Sequence, residues 1–260
     1  MTQENKETRF LQDIGMKNLP IPLIVLSRNN PDGQHTVAHV AISARIMQDF
    51  KADWIDAFIQ VLHTHGSDTV QKSLRSNIVD YLNLLNASSV RVDLDYPFFM
   101  EKLTPASKEK CLVRYLCTYS AKITSTNSDA TILFKIEIPV ITTYPINHQS
   151  SKGGLFAQMS CVTVELESVK DIFPEDIVEL VEKHALSPVY SFLAKEDQEF
   201  IINKVHTVEK SSVDMIDEIK KELAGNQNVK WYSVTSANYG ILHSYTTFIN
   251  TEKSNWIPFS

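Results

Sequence analysis

Apolar and polar positions alternate in two rhythms along this chain, and the switches between them lay out its elements. Pro20 to Leu26 and Thr36 to Ile46 carry the period of strands, and Asn29-Asn30-Pro31-Asp32-Gly33 between them favours a tight reversal. That order predicts a hairpin. Trp54, Ile55, Phe58, Ile59 and Leu62 recur at helical spacing, as do Val70, Leu74, Ile78, Tyr81, Leu82 and Leu85, so two amphipathic helices follow. Period two returns at Val90, Val92, Leu94, Tyr96 and Phe98, and again from Cys111 through Val113, Tyr115, Cys117, Tyr119 and Ala121 to Ile123. Such runs predict half-buried antiparallel strands.

The second half repeats the order. Ile132, Phe134, Ile136, Ile138 and Val140 alternate, and Val162, Val164 and Leu166 follow a polar loop from Asn147 to Gly154. Pro174 suits the first turn of a helix carrying Ile177, Val178, Val181 and Ala185, with more helical sequence from about Pro188 to Val205. Val213, Ile216, Ile219 and Leu223 mark a last helix, with Ser211 or Ser212 as N-cap and Gly225 as its stop. Val229 to Ser236 and Ile241 to Asn250 close the pattern as a hairpin through Asn238-Tyr239-Gly240. The expected architecture is therefore α+β: two strand-strand-helix-helix-strand-strand modules, residues 1–128 and 129–260, joined at Ser125-Thr126-Asn127-Ser128. Each module is expected to be an antiparallel sheet with helices on one face. The uncovered face and open edges favour a homodimer or homotetramer.

Composition narrows the function classes. With 43% apolar and 22% charged residues over 260 positions, the chain can bury a substantial core. A formal net charge of −6 argues against a nucleic-acid partner, and the absence of a membrane-length apolar run argues against a membrane partner. MTQENKETRF has no apolar secretory core, so the expected location is cytoplasmic. Three cysteines without a C-x-x-C pair support neither a disulfide framework nor a finger-type zinc site. Cys161 follows strand alternation and reads as a packed small residue. His63 and His65 read as residues of a helix end, where a cation complements the dipole.

Three segments carry a resemblance. Ile14-Gly15-Met16-Lys17-Asn18-Leu19-Pro20, Ser89-Val90-Arg91-Val92-Asp93-Leu94-Asp95-Tyr96-Pro97-Phe98-Phe99 and Ser236-Ala237-Asn238-Tyr239-Gly240-Ile241-Leu242-His243 resemble the type IB GTP cyclohydrolases, in order over nearly the whole chain. The resemblance implies a bimodular tunnelling fold, a homo-oligomer with sites between subunits, and opening of the GTP imidazole ring with a divalent metal.

Most positions that carry that chemistry are replaced. The family's C-P-C-S-K-E-I-S motif corresponds to Tyr144-Pro145-Ile146-Asn147-His148-Gln149-Ser150-Ser151, and its H-N-Q-R-S segment to Phe156-Ala157-Gln158-Met159-Ser160. The glutamate of a T-E-K segment falls at Asn203, beside retained Lys204. The E-S-I-H-N-H ending reads Gly240-Ile241-Leu242-His243-Ser244-Tyr245, and G-T-H-M-S-R reads Ala52-Asp53-Trp54-Ile55-Asp56-Ala57. Only His243 remains of the ligand set that the resemblance implies. A bound metal generates the nucleophile by lowering the pKa of its water from about 16 towards 7, and one imidazole does not hold zinc tightly.

His148 and His206 are the residues placed to compensate, since each lies near a lost ligand and could complete a three-histidine site with His243. The bland reading makes them solvated loop and helix residues, and a protein without a cofactor is the expectation; a relocated site would hold zinc or manganese. Glu218 falls where tunnelling-fold proteins carry the carboxylate that accepts the N–H edge of a guanine or pterin ring, although Asp214, Asp217, Glu218 and Glu222 also make an ordinary charged helix face. Lys51 and Lys204 are candidates for ligand phosphate, and His243 for proton transfer. Three functions follow: an enzyme repurposed for another purine, pterin or related heterocycle, an active GTP cyclohydrolase with relocated ligands, or a non-catalytic binding paralogue.

Overall fold

The computed structural model describes residues 11–49, 51–64, 69–144, 156–241 and 244–253. Its elements are β1 (Gln12–Val25), β2 (Gln34–Ile46), α1 (Trp54–Thr64), α2 (Val70–Leu84), β3 (Ser89–Leu103), β4 (Lys110–Thr124), β5 (Asn127–Thr143), β6 (Ala157–Ser168), α3 (Pro174–His184), β7 (Ser187–Pro188), α4 (Lys195–Thr207), α5 (Ser212–Gly225), β8 (Val229–Tyr239) and β9 (Thr246–Glu252). The strands are ordered β1-β2-β3-β4-β5-β6-β8-β9, with β7 pairing β5. The pairs β2–β3, β5–β6, β6–β8 and β8–β9 are antiparallel. The fold is α+β, an antiparallel sheet with helices on one side, as the alternation implied.

The chain forms two compact units. Unit 1 holds Met1–Val25, His35–Tyr96 and Tyr119–Leu133; unit 2 holds Leu26–Gln34, Pro97–Thr118 and Phe134–Ser260. β3, β4 and β5 each contribute residues to both. In unit 1 Phe58, Leu74, Ile78 and Tyr81 are buried with Val40, Ile42, Val90 and Val92. Tyr81 also donates its hydroxyl to the Phe58 carbonyl and meets that ring edge-on, with centroids 5.6 Å apart. The core of unit 2 is Ile136, Ile138, Val140, Val162, Val164 and Val234 with Ile177, Val178, Val181, Ile216 and Ile219. Each such aliphatic side chain contributes about 1.5–3 kcal/mol by leaving water.

Several boundaries differ from the sequence reading. β1 begins at Gln12 rather than Pro20, because Asn18, at φ 60°, reverses its alternation: Ile14 and Met16 point inward before it, and Leu19, Ile21 and Leu23 after it. α4 starts at Lys195 rather than Pro188, since Ser187 and Pro188 pair with Ile141 and Val140 of β5. β8 runs to Tyr239 rather than Ser236 and β9 starts at Thr246 rather than Ile241, because Asn238 and Tyr239 pair with Thr247 and Thr246 instead of forming the turn. The caps are as expected: Pro174 opens α3, Ser211 accepts from the Asp214 amide at 3.2 Å, and α5 ends at Gly225. The reversal before β2 is closed by the Gly33 amide on the Asn30 carbonyl at 2.9 Å, with Gly33 at φ 77°.

Asp197, fully buried in the first turn of α4, fixes that helix. It accepts from the amides of Ala106 at 2.8 Å, Ser107 at 2.9 Å and Ala194 at 3.0 Å, and from the Ser107 hydroxyl at 2.7 Å. Burial works to raise its pKa, but the Ser107, Ala106 and Ala194 donors override it and bring it down to about 2. Among the described residues no helix is long and apolar enough to cross a membrane.

Two stability outcomes follow. A Cβ on Gly15 would lie 2.0 Å from the Ile42 carbonyl oxygen, so Gly15→Ala should cost about 1–3 kcal/mol in denaturant unfolding; an unchanged midpoint would show that β1 moves aside freely. Because the native pKa of Asp197 is depressed, its contribution is complete above an unfolded value near 3.8 and is lost as pH falls towards about 2. Asp197→Asn should therefore narrow its stability deficit against the parent chain as pH drops through that window, and a deficit constant from pH 6 to pH 2 would contradict the assignment.

Candidate functional site

One end of the unit 2 sheet brings Tyr144, Gly240 and Glu218 into one region. β5 ends at Thr143, β6 begins at Ala157, and β8 ends at Tyr239. The inward positions at this end are polar where strand alternation leads one to expect apolar residues. Thr142, Gln158, Ser160, Ser236 and Asn238 are all buried, and they form a directed chain of hydrogen bonds. Gln158 Nε2 donates to Thr142 Oγ1 at 3.1 Å, the Thr142 and Ser160 hydroxyls lie 2.8 Å apart, and Ser160 Oγ donates to Asn238 Oδ1 at 2.8 Å. Ser236 Oγ reaches the same Asn238 oxygen at 2.9 Å. Gln158 and Ser160 are the two residues kept from the H-N-Q-R-S segment, so what survives of that motif is scaffold. Sequence reasoning passed over them in looking for metal donors; the signal available was polar residues in the buried phase of β5, β6 and β8.

Tyr144 and Gly240 are brought together here. A Cβ at Gly240 would stand 3.5 and 3.6 Å from Tyr144 Cε2 and Cδ2, so the ring lies over the glycine. By the resemblance these positions carried a cysteine and a glutamate. The ring is in ordinary van der Waals reach of a Cβ at position 240, so the two replaced positions are neighbours. The Tyr144 amide also bonds the Phe156 carbonyl at 2.8 Å.

Glu218 reaches the same end through Lys210. The Lys210 amide donates to Thr143 Oγ1 at 2.8 Å, its carbonyl accepts from the Thr143 amide at 2.9 Å, and its Nζ lies 2.5 Å from Glu218 Oε2. His184 Nδ1 is 2.9 Å from that same oxygen, and its Nε2 is 2.6 Å from Glu222 Oε1. The Lys210 ammonium holds the Glu218 carboxyl below the usual range, burial opposing and His184 assisting. Both donors use Oε2, which leaves Oε1 open among the described residues for a ligand N–H. Asp217 and Glu222 complete a charged helix face with Lys220 and Lys183.

α4 packs on this region through Ile201 and Val205, in a cluster with Leu186, Ile141 and Ala157. Its Asn203 and His206 are exposed and its Lys204 is half-buried. Lys51 is exposed in the turn before α1, in unit 1. His63 sits in the last turn of α1. His148 and His243, with His65 and Ile146, lie outside the described residues. Cys111 and Cys117 are buried and neither is in a disulfide among the described residues; the half-buried Cys161 thiol is pushed up by burial and by Glu137.

Among the described residues, the positions that the resemblance gives to metal ligands offer few donors. Asn203 offers a neutral amide on an exposed helix face, Gly240 offers no side chain, and the described residues contain no cluster of three or more histidine, cysteine, aspartate or glutamate ligands. A separate buried group joins Lys102, Glu182 and Tyr115. Burial pushes the Lys102 ammonium down and the Glu182 carboxyl up, against their mutual attraction, which marks the pair as weakly stabilising at best.

Comparison with known proteins bears on the fold and the family. Urate oxidase from Bacillus sp. TB-90 superposes with a TM-score of 0.58 at 10% identity, covering 94% of this chain and 100% of that one. A uricase from Bacillus fastidious gives 0.54 at 12% identity, covering 93% of each chain. These likenesses establish the fold. The protein named GTP cyclohydrolase FolE2 of Geotalea uraniireducens is 28% identical over 253 residues, covering 96% of this chain and 92% of that protein. Its namesake in Thermosipho africanus is 26% identical over 238 residues, covering 92% and 91%. The model of the type I GTP cyclohydrolase FolE2 family matches residues 1–248. With that match spanning the sheet, the Tyr144–Gly240 contact and the Glu218 helix alike, the chain belongs to the type I GTP cyclohydrolase FolE2 family.

Proposed function

We propose that this chain binds a guanine nucleotide at the polar end of the unit 2 sheet and acts as a GTP cyclohydrolase, releasing formate from the opened ring to give dihydroneopterin triphosphate. The observation that carries this reading is the family match over residues 1–248, supported by relatives of that name aligned along almost their full length. The repurposed reaction suggested by the lost motif residues finds no support in those relatives. Glu218 takes the N–H edge of the ring on Oε1, while Lys210 and His184 keep the carboxylate ionised and aimed. Lys204 of α4 is assigned to phosphate and His243 to proton transfer, while Lys51, in unit 1, is left out of this site. A metal, in family chemistry, supplies the activated water. The described ligand positions do not fit one, so a metal-bound form needs His148, His206 and His243, and no step is assigned to it.

A second reading rests on Tyr144 and Gly240. Neither offers the cysteine or glutamate donor that the resemblance implies at those adjoining positions, which favours a protein that binds the nucleotide without opening it. In either reading the chain self-associates, because Met159, Tyr239 and Phe248 are exposed on paired strands β6, β8 and β9.

Formate release from GTP, measured with zinc or manganese added, separates the two. The first reading expects turnover above the enzyme-free background and one equivalent of metal that is lost in His148→Ala or His206→Ala. Under it, Glu218→Ala raises the KM for GTP about tenfold or more. Saturable GTP binding by metal-free protein with no formate would reject turnover and leave the second.

A further inference from the structure

Unit 1 carries a cluster that the proposed activity leaves unused. Ser43 and Arg45 of β2, Ser89 and Arg91 of β3, Lys122 of β4 and Asp13 of β1 line a cleft of about 370 Å3. The strand register sets Arg91 opposite Ser43 and Arg45 opposite Ser89, so guanidinium and hydroxyl alternate across the β2–β3 pair. Three cations on neighbouring strands repel one another, and a merely solvated face gains nothing from that crowding.

Carboxylates hold the two guanidinium groups by one edge only. Asp13 takes Arg45 Nε at 2.8 Å and Nη2 at 3.0 Å. Asp93, itself held by the Ser120 hydroxyl at 2.5 Å, takes Arg91 Nε on both oxygens at 2.8 and 3.0 Å. Among the described residues this leaves Arg45 Nη1, both Nη atoms of Arg91 and Lys122 Nζ without a bonded partner. With Asp93 counted, the cleft keeps a net positive charge in a chain whose formal net charge is −6.

Oriented, unused guanidinium donors beside an ammonium and two hydroxyls match the several oxygens of a phosphoryl group better than the two of a carboxylate. We propose that this cleft binds a phosphoryl group, supplied by free pyrophosphate or by the phosphates of a nucleotide. The Arg45 and Arg91 side chains are 53% and 56% exposed, so the interaction is screened by salt.

Calorimetric titration of the full chain with inorganic pyrophosphate at low ionic strength tests it. The expected result is saturable one-site binding, weakened about tenfold or more by Arg91→Ala and by Lys122→Ala, and unchanged by Lys195→Ala on the exposed face of α4. Both test positions are exposed, and unfolding curves matching the parent chain's establish that the variants are folded. Displacement of pyrophosphate by GTP but not guanosine assigns the site to nucleotide phosphates, and no displacement by GTP assigns it to free pyrophosphate; either upholds the site. Unsaturable binding, indifference to Arg91→Ala and Lys122→Ala, or an equal loss in Lys195→Ala overturns it.

Discussion

The Ser160 hydroxyl is buried between β5 and β8, and it has one acceptable arrangement. It must give its proton to Asn238 and receive one from Thr142, because a hydroxyl left unpaired in that interior costs about 1–3 kcal/mol. Slipping β6 or β8 by one residue would turn its polar positions to the opposite face and place Met159 or Tyr239 inside. The register so fixed sets where β5 and β8 stop. It therefore puts Tyr144 over Gly240 and Thr143 within reach of Lys210, and through Lys210 it brings Glu218 from α5 to the sheet end. The candidate site depends on this tie more than on any charged residue in it.

On the proposed reading, what the tie positions is a ligand-orienting carboxylate. Glu218 is ionised, held on one oxygen and open on the other, an arrangement suited to a planar ring with adjacent N–H groups. Tyr144, Asn203 and Gly240 stand where the family resemblance puts metal-site residues, and none of them replaces a lost anionic donor. Family membership and the loss of those donors pull in different directions. The two proposed readings share recognition of a guanine-type ring, a step they assign to Glu218 and the scaffold.

Much of this was legible in the sequence, and the failures have physical causes. Strand and helix periods located nearly every element, because one face of each is buried and the other is wet. The first half of β1 was hidden because Asn18 at φ 60° inverts its alternation midway, and α4 was drawn too long because Pro188 is held by strand pairing rather than by its own propensity. Ser160, Gln158 and Asn238 were readable as polar residues at buried positions, but their role depends on β6 lying between β5 and β8, an adjacency that no local pattern encodes. Lys210 and His184 went unnoticed for the same reason: α3, α5 and β5 meet only in three dimensions. The basic cleft of unit 1 likewise needs the β2–β3 register, since Ser43 and Arg91 are far apart along the chain.

The central claim, that Glu218 receives the ring of a guanine nucleotide at the polar end of the unit 2 sheet, is tested most directly by a crystal structure of the protein with bound GTP. The account predicts ring N–H groups within hydrogen-bond distance of Glu218 Oε1, with Lys210 and His184 still on Oε2 and the Thr142–Ser160–Asn238 bonds unbroken. A ring bound away from Glu218, or Glu218 closed on its neighbours with the nucleotide in place, would contradict it.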